Sequence, residues 1–150
     1  MNNKDITYYL SILVNSKIVK SNSGGGAGSI LKIEINNKDS YFFIYCCWRL
    51  ESDATVLATS ADDTTANIGL IAKSVKLLEG KTILSINLSK QYDLIIVFED
   101  GYTLRVFCDI SYSSSDNEDY YDTNWELCIP TDNAYFKVSN KYQIETGKYY

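Results

Sequence analysis

The chain has 150 residues, 45% hydrophobic and 13% aromatic, which is the size and apolar share of one globular domain and too apolar for a disordered segment. A net charge of −5 sets it against nucleic-acid partners, whose phosphates call for clustered Lys and Arg. Histidine is absent, which removes the usual general base near neutral pH and the commonest metal ligand and excludes Ser-His-Asp and Cys-His chemistry.

No stretch approaches the roughly 18 consecutive apolar residues of a membrane span, and the N-terminal residues lack the features of a secretory signal. The expectation is a cytoplasmic protein with no membrane partner.

Ile6, Tyr9, Leu10 and Leu13 follow the spacing of one helix face, predicting a helix over about residues 4–14 with Asn2 or Asn3 as N-cap. Ile18 to Lys20 can already be extended. Ser21 to Ser29 reads SNSGGGAGS and predicts a flexible loop over 21–29; without the GK[ST] ending of a P-loop it is a poor phosphate cradle.

A sheet core is expected over residues 30–138. Leu31, Ile33 and Ile35 alternate with Lys32 and Glu34 as in a half-buried strand. Phe42, Ile44, Cys46, Trp48 and Leu50 make one apolar face of a single long strand, with Tyr41, Phe43, Tyr45, Cys47 and Arg49 on the other; apolar side chains on both faces predict a central, doubly covered strand. A short strand follows at Thr55 to Thr59.

Ile68, Ile71, Ala72, Val75 and Leu78 predict a second helix, with Asp63 or Thr65 as N-cap and Gly80 just past its end. Residues 83–88 alternate as a strand. Asp100-Gly101 between two apolar runs predicts a two-residue type I′ hairpin that pairs Val97 with Leu104 and Ile95 with Val106 on the core face.

Residues 111–123 read as an acidic loop, followed by short strands at 125–129 and 135–138 around a turn at 130–133 and an edge strand near 143–145. The fold class is α+β, a mainly antiparallel sheet with about two helices packed on it. Ser29 to Leu50 reads as strand, turn, strand ending in Trp48-Arg49-Leu50, and Thr82 to Leu127 as strand, hairpin, acidic loop ending in Trp125-Glu126-Leu127, an echo consistent with two related halves sharing one sheet. Both tryptophans are expected to anchor the core.

Cys46, Cys47, Cys108 and Cys128 lack CxxC spacing and read as reduced core thiols; no metal or other cofactor is expected. Asp62, Asp63, Asp100 and Asp109 read as turn and cap residues rather than a catalytic carboxylate pair, so no catalytic residue is assigned. Asp116, Glu118, Asp119 and Asp122, interleaved with Tyr120 and Tyr121, lack the DxDxDG calcium pattern; as a partner-binding segment their carboxylates would steer a basic protein and the tyrosines would supply contact area.

YCCWRL at 45–50, LEGKTI at 78–83, FEDGYTLRVF at 98–107 and NWEL at 124–127 resemble a family of small, uncharacterised bacterial single-domain proteins, some of them similar to immunity proteins encoded beside polymorphic toxins. The resemblance covers about residues 28–128 and implies a fold more than a site. The reading is a non-enzymatic, protein-binding domain of the immunity type, occluding a basic toxin through Asp116 to Asp122. Its rivals are a ligand-binding or enzymatic domain with a pocket lined by Tyr45, Trp48, Phe107 and Trp125, and a homo-oligomeric structural module.

Overall fold

A computed structural model describes residues 5–109 and 123–148. Within them the chain is α+β, with two antiparallel sheets and two short α-helices. In chain order these are α1 (Ile6–Leu13), β1 (Ile18–Asn22), β2 (Leu31–Ile35), β3 (Tyr41–Ile44), β4 (Cys47–Glu51), β5 (Val56–Thr59), α2 (Leu70–Val75), β6 (Ile83–Leu88), β7 (Leu94–Phe98), β8 (Thr103–Phe107), β9 (Thr123–Ile129), β10 (Ala134–Ser139) and β11 (Ile144–Gly147). The six-stranded sheet has the order β1-β2-β3-β9-β10-β11, and the five-stranded sheet β5-β4-β8-β7-β6.

Each sheet turns one face into a common core. Leu31, Ile33, Phe42, Ile44, Trp125 and Leu127 come from the larger sheet, and Trp48, Leu50, Leu94, Ile96, Leu104 and Val106 from the smaller. Every such side chain removed from water contributes about 1.5–3 kcal/mol before chain entropy is set against it. Both helices add apolar residues to this core. Tyr9 of α1 packs on Phe136 with ring centroids 5.5 Å apart, and its hydroxyl donates to Asp132 at 2.9 Å.

The two sheets are built alike. Residues 6–59 run α1-β1-β2-β3-β4-β5 and residues 70–139 run α2-β6-β7-β8-β9-β10. In each half the first three strands are neighbours in one sheet, and the last two cross to complete the other half's sheet. Register agrees: Ile44 lies opposite Trp125 and Phe42 opposite Leu127, while Val106 lies opposite Trp48 and Leu104 opposite Leu50. The backbone joint between halves is reciprocal, because Ile18 N–H donates to Lys81 O at 2.9 Å and Ile83 N–H to Ser16 O at 2.8 Å. The Trp-Arg-Leu and Trp-Glu-Leu segments therefore occupy equivalent places. The halves exchange strands, however, rather than share one sheet.

That exchange explains why residues 42–50 are not one strand. The apolar face is as expected, with Phe42, Ile44, Cys46, Trp48 and Leu50 all buried. At Tyr45 and Cys46 the chain leaves the larger sheet, both amides bonding to the Asn124 carbonyl, and resumes as β4 in the smaller one. Side-chain alternation continues through the crossing, and the second face, Tyr41 to Arg49, is only partly covered.

The Asp100-Gly101 turn does take positive φ at both residues, 65° and 80°. Its loop nonetheless holds three residues, since Phe98 N–H donates to Tyr102 O at 2.8 Å while Glu99 turns to β6. Glu99 N–H donates to Thr82 O, and its carboxylate accepts from Thr82 N–H, each at 2.9 Å. The ladder consequently pairs Ile96 with Leu104 and Leu94 with Val106. A one-residue slip changes the face, so Leu94, Ile96 and Phe98 are core in place of Ile95 and Val97.

Both helices are shorter than expected. Asp5 caps α1, its Oδ1 accepting from Tyr8 N–H at 3.0 Å; Asn2 and Asn3 lie outside the described residues. Asp63 and Thr65 form their own turn, and α2 starts at Leu70 after an uncapped Gly69, leaving Ile68 exposed. Gly80 has the expected positive φ of 80°. Strands also extend beyond 30–138, as β1 and β11, the latter an edge strand. Cys46 lies in the shared core and Cys108 is half-buried against it, but Cys128 is buried on the other face of the larger sheet and Cys47 is exposed, so two of the four are not core thiols.

Candidate functional site

Pairing across the larger sheet sets two rows on its outer face. Lys32, Phe43, Glu126, Lys137 and Glu145 form one row; Glu34, Tyr41, Cys128 and Tyr135 form the other. Strand alternation explains the placement: the buried partners Ile33, Phe42, Leu127 and Phe136 point the opposite way.

An aromatic strip runs along β3 on this face. Tyr41 and Phe43 meet edge to face at 5.5 Å, and Phe43 stacks on Tyr45 at 5.9 Å with 22° between the rings. The Lys32 ammonium sits 4.8 Å from the Tyr41 ring centre and 5.4 Å from that of Phe43, a cation over two π faces. Tyr45 is 39% exposed, and Tyr41 and Phe43 are half-buried. Burial pushes the Glu126 carboxyl above its ordinary range, with Lys137 opposing the shift. Burial likewise raises Tyr45, and the Glu126 charge adds to it.

A cleft of about 360 Å³ opens beside the middle of the strip, where Lys32 and Phe43 meet Asn22, Gly24, Ala66 and Asn67. The glycine run forms its wall and is pinned: Gly25 N–H donates to Thr64 O at 2.6 Å and Gly24 N–H to Gly28 O at 2.8 Å. The expected flexible loop over 21–29 is thus β1 as far as Asn22, then a short 3₁₀ turn held against residues 64–66.

The outer face of the smaller sheet differs in chemistry. Arg49 and Arg105 lie directly opposite each other, and one Glu51 oxygen accepts from both, at 2.7 and 2.8 Å. Hydrogen bonding from Arg49, assisted by Arg105, holds the Glu51 carboxyl below its ordinary range.

Asp116, Glu118, Asp119, Tyr120, Tyr121 and Asp122 lie outside the described residues. The chain on either side of them is fixed beside Tyr45. Asp109 N–H donates to Asn124 Oδ1 at 3.1 Å, Asn124 Nδ2 donates back to Asp109 O at 3.2 Å, and the Asn124 carbonyl accepts from Tyr45. Asp109 and Asn124, which flank the acidic segment in sequence, therefore meet at the Tyr45 end of the aromatic strip.

No protein-family model, curated protein or solved structure matches this chain.

Trp48 and Trp125 are fully buried core anchors, so they do not line a pocket with Tyr45 and Phe107, which lie at the surface. The described Asp62, Asp63 and Asp109 have turn and loop partners: Asp62 accepts from Thr59 N–H, Asp63 from Thr65, and Asp109 from the Cys47 thiol. Among the described residues no cluster of three or more Cys, Asp or Glu side chains gathers to hold a metal. No described helix is long and apolar enough to cross a membrane.

The aromatic strip is the element that sequence reading missed, because Tyr41, Phe43 and Tyr45 read as a face covered by other structure. The available signal was on the neighbouring strand, where Lys32 and Glu34 alternate with buried residues and share that face.

Proposed function

We propose that this chain is a non-catalytic protein-binding domain of the immunity type, whose outer β3 face docks a basic protein such as a toxin domain. The observation that carries the reading is the part-exposed Tyr41-Phe43-Tyr45 strip, which ends beside Asp109 and Asn124, the described residues that flank the acidic segment in sequence. Aromatic side chains on a rigid sheet provide contact area at little entropic cost, while Asp116 to Asp122 supply the field that draws in a basic partner. The core of such an interface would be Phe43 and Tyr45, with Glu34, Glu126 and the acidic segment at its rim.

The test is capture of partners by the tagged protein at low salt from the cells that produce it, followed by co-expression with whatever is captured. A stoichiometric basic protein whose toxicity the chain relieves supports the reading. A captured protein with no toxicity retains protein binding but removes the immunity role.

The cleft beside Phe43 favours one further reading, a small-ligand site, because its volume falls in the range that takes small organic molecules. Shifts in the amide resonances of Gly24, Ala66 and Asn67 on fragment addition would support it. Binding that leaves those amides unmoved would remove it.

A further inference from the structure

We propose that Cys46 and Cys108 form a reversible, oxidation-sensitive thiol pair where the two sheets exchange strands. The pair follows from the fold. Cys47 lies opposite Phe107 in the β4–β8 ladder, so the next antiparallel step sets Cys46 against Cys108. Both lie two residues beyond equivalent core positions, Ile44 at the end of β3 and Val106 near the end of β8. Directly opposed residues in antiparallel strands have Cα atoms about 4.5–5.5 Å apart, within the roughly 4.4–6.8 Å that a disulfide spans.

Side-chain placement agrees. Cys46 belongs to the buried core, and Cys108 packs against that core, its thiol donating to the Tyr92 carbonyl at 3.2 Å. Cys47, the next residue, points to the opposite face, where its thiol donates to Asp109 Oδ2 at 3.7 Å. The neighbouring Cys108 thiol, together with burial, pushes the Cys46 thiol well above its ordinary range, so it ionises reluctantly. Oxidation therefore begins at Cys108, the more exposed sulfur.

With hydrogen peroxide the Cys108 sulfur attacks one peroxide oxygen; an S–O bond forms, the O–O bond breaks and water leaves. The Cys46 sulfur then attacks the sulfenic sulfur, forming the S–S bond and breaking the S–O bond, while the Cys46 proton departs with the second water. Two thiols lose two electrons and the peroxide gains them. The bond would fix the crossing that carries Tyr45 to the strand end before the acidic segment. Any effect on partner binding rests on the function proposed above, whereas the chemistry does not.

The experiment treats the full chain with graded peroxide, unfolds it in N-ethylmaleimide and reads intact mass and fragment spectra. The expected product is a monomer 2 Da lighter that takes two labels instead of four in wild type and one instead of three in Cys47→Ser, absent from Cys46→Ser and Cys108→Ser, and reversed by dithiothreitol. Cys47→Ser leaves the proposed pair intact, so its fragment spectra locate the bond even if the other variants fold poorly. Four labelled thiols after oxidation, or a bond through Cys47 or Cys128, would overturn the assignment.

Discussion

The indole N–H of Trp125 donates to the backbone carbonyl of Tyr92 at 2.8 Å, reaching from the six-stranded sheet to the residue two before β7 of the five-stranded one. The equivalent bond runs the other way, from Trp48 of β4 to the carbonyl of Ser29, two residues before β2, also at 2.8 Å. Each tryptophan thus fills its half's exchanged strand position and satisfies a carbonyl of the sheet it faces. Trp48→Phe should cost about 1–3 kcal/mol by stripping the Ser29 carbonyl of its indole donor, and Trp125→Phe less on that account, since the Tyr92 carbonyl still accepts from the Cys108 thiol at 3.2 Å, with additional loss from the smaller ring in both. Urea midpoints at unchanged slope measure this. A negligible loss in either variant would mean that water replaces the indole.

Arg49 and Arg105 face each other across β4 and β8, and the Glu51 carboxylate relieves that opposition. Glu51→Gln should destabilise by about 1 kcal/mol near neutral pH, a figure set by the part-exposed position. Because the folded-state pKa is lowered, the contribution is present above the ordinary carboxylate range and disappears as pH falls through the folded value. Wild type and variant should therefore converge in acid. Parallel stability curves across pH would show that Glu51 contributes shape rather than charge.

Gly69 precedes α2 in a close backbone approach. A Cβ there would meet Asp63 O at 2.6 Å, Thr65 O at 2.7 Å and Thr65 N at 2.8 Å, all backbone atoms that yield poorly. Gly69→Ala should cost about 1–3 kcal/mol, as overpacking does. Thermal unfolding checks it. A neutral result would show that the 63–69 turn readily repacks.

Much of this fold is legible in the sequence where one side-chain period decides the matter. Phe42 to Leu50 gives the buried face correctly, Gly80 the left-handed position, and the two tryptophan motifs the equivalence of the halves. Period alone cannot show a change of pairing partner, which is why the crossing at Tyr45 and Cys46 passed as one strand. Nor does Asp-Gly fix loop length when Glu99 is drawn aside by Thr82. For the site, an aromatic face against solvent and one under a helix look the same in sequence. The acidic residues at 116–122 could be read as charge, but that the residues flanking them, Asp109 and Asn124, meet beside Tyr45 was not legible.

Glu126 lies half-buried on the outer face, and its folded-state pKa is raised, chiefly by burial. Between the ordinary and the raised value the folded chain holds a proton that the unfolded chain has released, so stability declines as pH rises through that window. Glu126→Gln should therefore gain about 0.5 kcal/mol at neutral pH and nothing in acid, while weakening a basic partner. Denaturation midpoints and partner affinity measured together test this. A variant that is less stable at neutral pH would mean that the Lys137 attraction outweighs burial.

The most direct measurement of the central claim compares capture by wild type with capture by Tyr41→Ser, Phe43→Ser and Tyr45→Ser combined, at matched low salt and with circular dichroism confirming an intact fold. The account expects wild type to retain a basic partner that high salt releases, and the triple variant to lose at least tenfold in affinity, about 1.4 kcal/mol. Equal retention by both proteins would contradict it.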